Sequence, residues 1–481
     1  MPDEKKLVGL TVKKSDDISE WYTQVVQKSE LIDYSSVSGC YVYRPWSYGV
    51  WERIQEFFDG LIKKHGVKNV YFPLLIPEAL LKKETKHVEG FAPEVAWVTE
   101  AGHSKLSERL AIRPTSETIM YESFAKWIKS WRDLPLKINQ WCSVVRWEFN
   151  NPVPFLRSRE FLWSEGHSAF ASKDEVDKDT RYILSLYKQV FEELLAIPVI
   201  DGLKTDHEKF AGALYTTSLE TFLPSGKGIQ ATTSHCLGQN FSQVFDIKFL
   251  DEKGDNHAVW QNSWGISTRS IGVMILVHGD DKGLVVPPAV APVQVVVVPI
   301  LFEQTKDAVL AVAKNIASSL HHARVHLDDR DNYSPGWKFN EWELKGVPLR
   351  VEFGPKDMAS KSAVIVRRDT GKKESVSLDA LPARVSVLLM EIQQDLLAKA
   401  RKNLEENKVV VKIWEDFTRA VKERKLILAP FCDKAVCEEE IKAKTEGVKT
   451  LNKPFDQPFV KGSCVHCDAP ATCYALFAKT Y

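Results

Sequence analysis

The most apolar run of the chain, LVVPPAVAPVQVVVVPILF from Leu284 to Phe302, decides what kind of protein this is. It is long enough to raise a membrane-spanning helix, which needs roughly 20 apolar residues. Pro287, Pro288, Pro292 and Pro299, together with Gln294, interrupt it, and interior prolines break a helix by removing a donor and clashing with the preceding turn. The stretch therefore reads as a Pro-rich linker around Pro287, Pro288 and Pro292 that feeds a buried strand, VQVVVVPI. A domain boundary is expected there, because 481 residues exceed what one hydrophobic core usually serves.

Composition narrows the class. A hydrophobic content of 44% with 27% charged residues is that of a globular chain, with no signature of disorder or of a disulfide scaffold. Lys plus Arg and Asp plus Glu balance at 64 each, so no global field draws in a polyanion, and any such partner must be met by local patches. The N-terminus, MPDEKKLVGL, has acidic residues and no apolar h-region, so neither a signal nor a transit peptide is expected and the cytoplasm is the default location. Of the eight cysteines, Cys40, Cys142, Cys236 and Cys473 are scattered, whereas Cys432 with Cys437 and Cys464 with Cys467 form close pairs. In a reducing compartment that pattern suggests metal more than disulfide.

From about Ile18 to Gly283, helical periodicities alternate with short aromatic-rich strand candidates, which predicts one large α+β unit, residues 1–283. Pro114, Thr115 and Ser116 offer N-cap chemistry for a helix running to about Trp131, with Ile119, Met120, Phe124 and Ile128 on its apolar side. Ser172 and Glu175 form a capping box for a helix keyed by Val176, Ile183, Leu186, Val190 and Leu194. Between these helices lies QWCSVVRWEFNNPVPFLRSREFLWSEGHSAF, from Gln140 to Phe170. Trp141 to Val145 and Phe161 to Trp163 are strand-like and flank NNPVPFLRSRE, so the segment predicts a long-looped antiparallel hairpin. Strand alternation would put Arg146 and Glu148 on one face.

After the linker come a strand over Val293–Pro299, a helix over Thr305–His321, and strands near Val325, Pro348–Glu352 and Ala363–Val366, an α/β unit over 284–395. An amphipathic helix from about Arg384 to Asn407 leads to a small unit over 396–481 with VVVKI, a helix from Trp414, ILAPF and the paired cysteines. The run Arg367, Arg368, Lys372, Lys373 fits a solvated loop end or phosphate contacts equally well.

No G-x-x-x-x-G-K-[ST] loop and no G-x-G-x-x-G follows a strand, so any phosphate must be met by arginines. A guanidinium holds phosphate oxygens bidentately, and a carboxylate two residues away accepts from an amino group. On a hairpin alone, the same residues also suit a surface ion-pair lattice.

Further motifs accompany the hairpin. Arg146-Trp147-Glu148, a loop bearing Arg157, and Phe161 resemble motif 2 of class II aminoacyl-tRNA synthetases; GVKNVYFPLLIP with Pro73 resembles motif 1; NSWGISTRSIGVMI with Arg269 resembles motif 3. With RPTSETIMY, WSEGHSAF and ATTSHCLGQNF, the set resembles the prolyl-tRNA synthetases of the eukaryotic and archaeal type along nearly the whole chain. None of the motif arginines is missing, as one would be in a catalytically dead relative. The segments WSEGHSAF and SHCLGQNF set the chain apart from class II ligases for threonine or serine.

The resemblance implies an ATP-dependent proline–tRNA ligase with a class II catalytic fold built on an antiparallel sheet, an anticodon-binding domain and a zinc-type C-terminal domain. It implies that Arg146 and Arg269 are catalytic. Arg146, Glu148, Arg157, Phe161, Gln230, Thr233, Ser267 and Arg269 are then the ATP contacts, with Mg²⁺ bridging phosphates. Thr115, Glu117, Arg146, Trp163, Glu165, His167, Phe210 and His235 are implied as the L-proline pocket. A lone histidine is ordinarily a core residue, but His167 and His235 both stand inside matched motifs. Glu343, Arg350 and Asp357, in the Asp328–Met358 stretch, are implied as anticodon readers of tRNA(Pro), since carboxylates and arginine match the guanine edges.

Cys432, Cys437, Cys464 and Cys467 suit a structural Zn²⁺ with four protein ligands, His466 replacing Cys467 as a variant and four free thiols as the alternative. A homodimer through motif 1 is implied. An editing domain between motifs 2 and 3 is not, because Phe170 to Ile229 is taken up by the capped helix and TDHEKFAGALYTT. In some relatives the C-terminal carboxylate reaches the active site, which makes Tyr481 a residue to place.

Overall fold

The computed structural model describes residues 9–85 and 94–480, so the first eight residues and Tyr481 lie outside the described residues. Helices Ile18–Lys28 (α1) and Pro45–Lys64 (α2) precede the strands of the main sheet: Lys68–Asn69 (β1), Leu136–Val145 (β2), Glu160–Phe170 (β3), Ile200–Leu203 (β4), Tyr215–Phe222 (β5), Gly228–Gly238 (β6) and Trp260–Ser267 (β7). Their order is β4-β5-β6-β7-β3-β2-β1, and every pairing but β1 with β2 is antiparallel. The expected hairpin is β2–β3, in register from Leu136↔Ala169 to Val145↔Glu160. Arg146 and Glu148 lie just beyond the strand end. Arg146 N still donates to Arg159 O at 2.7 Å, which extends the pairing by one step.

Side-chain alternation divides the sheet into two faces. On β3 the odd positions Phe161, Trp163, Glu165 and His167 share one face, and Ser164, Gly166 and Ser168 share the other. Trp264 of β7 lies on the second face, where its ring meets Phe58 of α2 and Tyr187 of the helix Lys173–Gln189 edge-on while those two stack at 4.7 Å. Gly166 leaves room for that indole, since a Cβ there would stand 2.1 Å from the ring. The apolar helices cover this face, and the polar one stays open.

Further helices of this unit include Glu117–Trp127 (α3), Lys173–Gln189 (α4) and Arg269–His278 (α5). α3 stops at Trp127, earlier than Trp131, because Ile128 turns to extended backbone; Trp131–Asp133 is a separate short turn. Ser116 stands at the N-cap without a capping bond, its Oγ instead accepting from Gln140 Nε2 at 2.8 Å. α4 has the expected Ser172–Glu175 box, and its apolar series continues past Gln189 through one π-helical turn that buries Val190 and Leu194.

The second unit is a five-stranded sheet of Val295–Pro299 (β8), Val325–Leu327 (β9), Leu349–Phe353 (β10), Ser362–Arg367 (β11) and Lys373–Ser377 (β12), in the order β9-β8-β10-β11-β12. The first three are parallel; β12, not expected from sequence, pairs antiparallel with β11. Helices Lys306–Ser319 (α6), Pro335–Leu344 (α7) and Leu381–Asn407 (α8) belong to it. The Pro-rich segment is no loose linker: Leu284, Val286, Val290 and Ala291 are buried in the core of the first unit. Prolines deprive it of ladder partners, and Arg324 caps the carbonyls of Ala291, Pro288 and Ala289 at 2.7–3.1 Å. Among the described residues no helix is long and apolar enough to cross a membrane.

The basic run is largely structural. Arg367 pairs with Asp369 and Asp395, each at 2.7 Å, and Arg368 bonds both Asp280 oxygens at 2.8 and 2.6 Å. α8 is continuous through residue 396, with Leu388 and Leu396 packed on the second unit and Leu404 on the third. The third unit adds Lys408–Val410 (β13), Trp414–Lys422 (α9), Leu426–Phe431 (β14), Ala435–Lys444 (α10), Val448–Thr450 (β15), Lys453–Pro454 (β16) and Cys473–Lys479 (β17). β13-β14-β17-β15 form its own sheet, while β16 crosses over to pair with β4 as the eighth strand of the main sheet. Gly202 permits that approach, as a Cβ there would lie 2.4 Å from Lys453 O.

Filling the space under Trp264 is expected to be costly. Gly166→Ala should destabilise the first unit by about 1–3 kcal/mol through overpacking, read as a lower thermal midpoint, whereas Gly60→Ala, inside α2 with nothing within 4 Å of its Cβ, should raise the midpoint slightly because alanine is the better helix former.

Candidate active site

Two adjoining cavities open on the polar face of the main sheet. The first, of about 220 Å³, is lined by Arg146, Glu148, Arg157, Phe161, Gln230, Thr233, Ser267 and Arg269 among others, so all eight residues expected to meet a nucleotide are together. The second, of about 280 Å³, is lined by Thr115, Glu117, Arg146, Trp163, Glu165, His167, Phe210 and His235, the full set expected for a small amino acid. Arg146, Trp163, Gln230, Thr233 and Gly265 line both.

Arg146 stands at the junction. Its Nε donates to Pro114 O at 2.9 Å and its guanidinium lies 5.6 Å from the Phe161 ring and 5.2 Å from the Trp163 ring. Arg269, the first residue of α5 directly after β7, donates from Nε to Leu156 O at 3.2 Å. Burial lowers its pKa, and the positive charges of Arg157 and Arg146 lower it further. Among the described residues no carboxylate comes within ion-pair distance of Arg146 or Arg269. Guanidiniums that repel one another across a cavity and lack a carboxylate partner make an anion site.

The hairpin loop is held in place by residues that motif reading left unassigned. Arg159 donates to Phe149 O at 3.2 and 3.0 Å and to Ser38 O at 3.1 Å, with the Trp147 ring 4.4 Å away. Tyr22 of α1 donates to Pro154 O at 2.9 Å, and Leu156 packs over Gly272, where a Cβ would approach it to 2.6 Å. Nothing local in the sequence marks these contacts, because their partners are distant in the chain.

The second cavity is an acid–base cluster. Glu165 accepts from Ser116 N at 2.7 Å, Thr115 Oγ1 at 3.0 Å and Gln140 Nε2 at 3.3 Å, and its Oε1 lies 3.3 Å from His167 Nε2. Tyr121 OH is hydrogen-bonded to His167 Nδ1 at 2.9 Å, and Thr115 Oγ1, with one proton to give, also lies within hydrogen-bond distance of Glu117. Burial works against the charge on Glu165, but bonds from His167 and Ser116 hold it down to about 2. Burial raises Glu117, and the charge of Glu165 adds to that rise while His167 opposes it. Glu117 is thus the first of the pair to take a proton as pH falls. His235 packs against Phe210 with ring centroids 4.7 Å apart and planes tilted by 34°, and hydrogen-bonds Thr216 Oγ1 at 2.9 Å and Thr233 Oγ1 at 3.0 Å. Burial, then the charges of His167 and Arg146, push it down to about 3, so the ring is neutral.

In the third unit the ligand atoms of Cys432, Cys437, Cys464 and Cys467 lie within 4.8 Å of one another, with Cys437–Cys464 at 3.7 Å and Cys432–Cys467 at 3.6 Å. A tetrahedron with metal–sulfur bonds of about 2.3 Å has edges of about 3.8 Å, so the four thiols fit one metal ion. All eight cysteines are free. His466 is not one of the four; it flanks them, 3.4 Å from Cys437 Sγ and 4.8 Å from the Trp414 ring. In the second unit Glu343 and Arg350 line one small cavity, which does not include Asp357. Glu343 pairs with Lys282 at 2.9 Å, Arg350 with Glu352 at 2.8 Å, and Asp357 caps Gly354 N at 2.9 Å.

Known proteins share this arrangement. Residues 97–278 match the tRNA synthetase class II core domain (G, H, P, S and T), 294–388 an anticodon binding domain, and 414–481 the prolyl-tRNA synthetase C-terminal domain. A cytoplasmic proline–tRNA ligase of Arabidopsis thaliana is 52% identical over 98% of this chain and 91% of its own length. The chain belongs to the proline–tRNA ligase family. Another member, from Alkaliphilus oremlandii, is 48% identical over 99% of both chains. The bifunctional glutamate/proline–tRNA ligase of Mus musculus is 50% identical, this chain matching 33% of its length. A class II ligase of this family works on ATP with Mg²⁺, the chemistry that an arginine-lined cavity suits.

Two measurements check this geometry. With a folded pKa of about 3 against an ordinary value of 6.5, His235 takes up its proton only in the unfolded chain between those values. Stability should therefore fall as pH drops from 6.5 towards 3, and His235→Gln should flatten that part of the unfolding profile. The purified chain should also carry about one metal ion by elemental analysis, and Cys464→Ser should lose it.

Proposed function

We propose that this chain activates L-proline with ATP and transfers the prolyl group to the 3′ end of tRNA(Pro) in the cytoplasm. The observation that carries the reading is the sharing of Arg146 between an arginine-lined cavity and a small cavity of acids, histidines and aromatics. Adenine would lie between Phe161 and Arg269, its amino group donating to Glu148, while Arg157 and Arg269 meet the outer phosphates and Gln230, Thr233 and Ser267 supply further contacts. Mg²⁺, when bound with ATP, neutralises charge on the phosphates.

The proline ring would pack against Trp163, Phe210 and neutral His235, with its imino group on Thr115 and Glu117 and with Glu165 and His167 lining the pocket. Arg146 bridges the proline carboxylate and the α-phosphate. The carboxylate oxygen attacks the α-phosphorus in line, pyrophosphate leaves with the bonding electrons, and prolyl-adenylate remains. The terminal tRNA ribose hydroxyl then attacks the prolyl carbonyl and AMP departs. No protein group forms a covalent bond in this scheme; positioning and charge neutralisation supply the rate.

The remaining roles follow the same reading. Residues 284–395 would read the anticodon of tRNA(Pro) through Glu343, Arg350 and Asp357, and the four cysteines would hold a structural Zn²⁺ with no open position. A homodimer through the motif 1 strand is supported by the apolar exposure of Tyr71, Leu74 and Leu75 beside Pro73. The cytoplasmic location is supported by the name of the Arabidopsis relative.

Pyrophosphate exchange into ATP, assayed with each amino acid in turn, should be driven by proline alone. Arg146→Ala should lower that exchange by about 10²- to 10³-fold, the range for losing one preorganised charge-stabilising donor. Exchange without proline, or none from folded protein, would falsify the reading.

A further inference from the structure

The wall of the second cavity formed by Glu208 and Phe210 belongs to the loop between β4 and β5, and the third unit grips that loop from outside. Thr205, 2% exposed, donates from Oγ1 to Glu438 Oε2 at 3.0 Å. Beside it His207 Nε2 lies 2.9 Å from Glu439 Oε1, and Lys449 Nζ lies 3.6 Å from Glu208 Oε1. Lys204 Nζ donates to Leu451 O at 2.7 Å, and β16 pairs with β4 just upstream. Glu438 and Glu439 follow Cys437 directly on α10, so the helix that reaches the loop is the one that enters the thiol cluster.

Contacts inside the loop carry the grip to the cavity. Thr205 closes the turn by accepting from Glu208 N at Oγ1 (3.2 Å) and from Lys209 N at its carbonyl (3.0 Å). Phe210 N, next in the chain, donates to Thr216 Oγ1 at 2.9 Å, and Thr216 is hydrogen-bonded to His235, against which the Phe210 ring packs. One path of bonded groups therefore runs from Glu438 through the turn to the aromatic wall. Lys204 and β16 hold the chain just upstream; among the side-chain contacts to residues 205–210 the Thr205–Glu438 bond is the buried one, since the His207–Glu439 pair is 37% and 52% exposed and exposed pairs contribute little.

We propose that Glu438, through Thr205, is a positioning residue for the amino-acid pocket, so that the C-terminal unit sets the affinity for proline and not for ATP. This rests on the reading of the second cavity as the proline site. The nucleotide cavity does not include any residue of the 204–210 loop, so a displaced wall acts on one substrate only.

The test is proline-dependent pyrophosphate exchange by the full chain, with KM for proline and for ATP measured separately. Glu438→Ala is expected to raise the proline KM about tenfold, a modest share of what a misplaced positioning group can cost, with the ATP KM within about twofold. Glu438→Gln, which keeps an acceptor oxygen, should restore the wild-type proline KM. Thr205→Val, nearly isosteric, should match Glu438→Ala, and the double variant should add nothing further. Metal content should equal that of the wild type in all four variants. An unchanged proline KM in Thr205→Val, a parallel rise in both KM values, additive losses, or loss of metal with the KM change would each overturn the proposal. A folded wild type with no proline-driven exchange takes down the reading of the pocket and this proposal with it; an active wild type with unmoved variants defeats this proposal alone.

Discussion

The two-residue period of the antiparallel sheet is the constraint on which the rest depends. A side chain on β3 or β7 must face either the helices or the open side. Odd positions from Phe161 to His167 carry aromatic, acid and imidazole groups, while the intervening positions shrink from Leu162 through Ser164 to Gly166 under the Trp264 ring. Because the tight packing lies on one face only, the other can hold buried charge without disturbing the core. A register slip of one residue would exchange the faces and bury the site against Tyr187 and Phe58.

Electrostatics then separates two classes of arginine. Arg367, Arg368, Arg330 and Arg384 are bound to carboxylates within the fold, and Arg324 and Arg159 to main-chain carbonyls. Arg146 and Arg269 line the cavities with no carboxylate of the described residues within ion-pair distance, and Arg269 feels the repulsion of its neighbours. Arg146 and Arg269, like Arg324 and Arg159, bond only main-chain carbonyls, but unlike them they line an open cavity. The carboxylates follow the same division: Glu165 receives its donors from Ser116, Thr115 and Gln140 and is charged in the resting site.

Much of this was legible in the chain itself. Hairpin and capping-box signals are local, and β2–β3 and α4 form where they are expected. The residues named for both substrates gather into two cavities, because they sit inside motifs whose strand and helix contexts are short-range. Less legible were α3, which ends four residues early, and β12, whose KESVS sequence has no apolar alternation to announce it. The buried Pro-rich segment was invisible as core, because three of its carbonyls are met by Arg324, far along the chain. Arg159 escaped for the same reason, with partners at Ser38 and Phe149.

By itself, the sequence determined the element types, the three-unit order, the family resemblance and the chemistry of the side chains at the site. Those follow from periodicity, capping and motif spacing, which act over a few residues. Only the tertiary structure decided that Arg146 joins two cavities, that His235 is neutral, that four thiols converge on one point, and that β16 and α10 of the last unit reach back to the first. Each of these depends on burial or on contacts between residues far apart in the chain, and neither desolvation nor long-range proximity has a local signature.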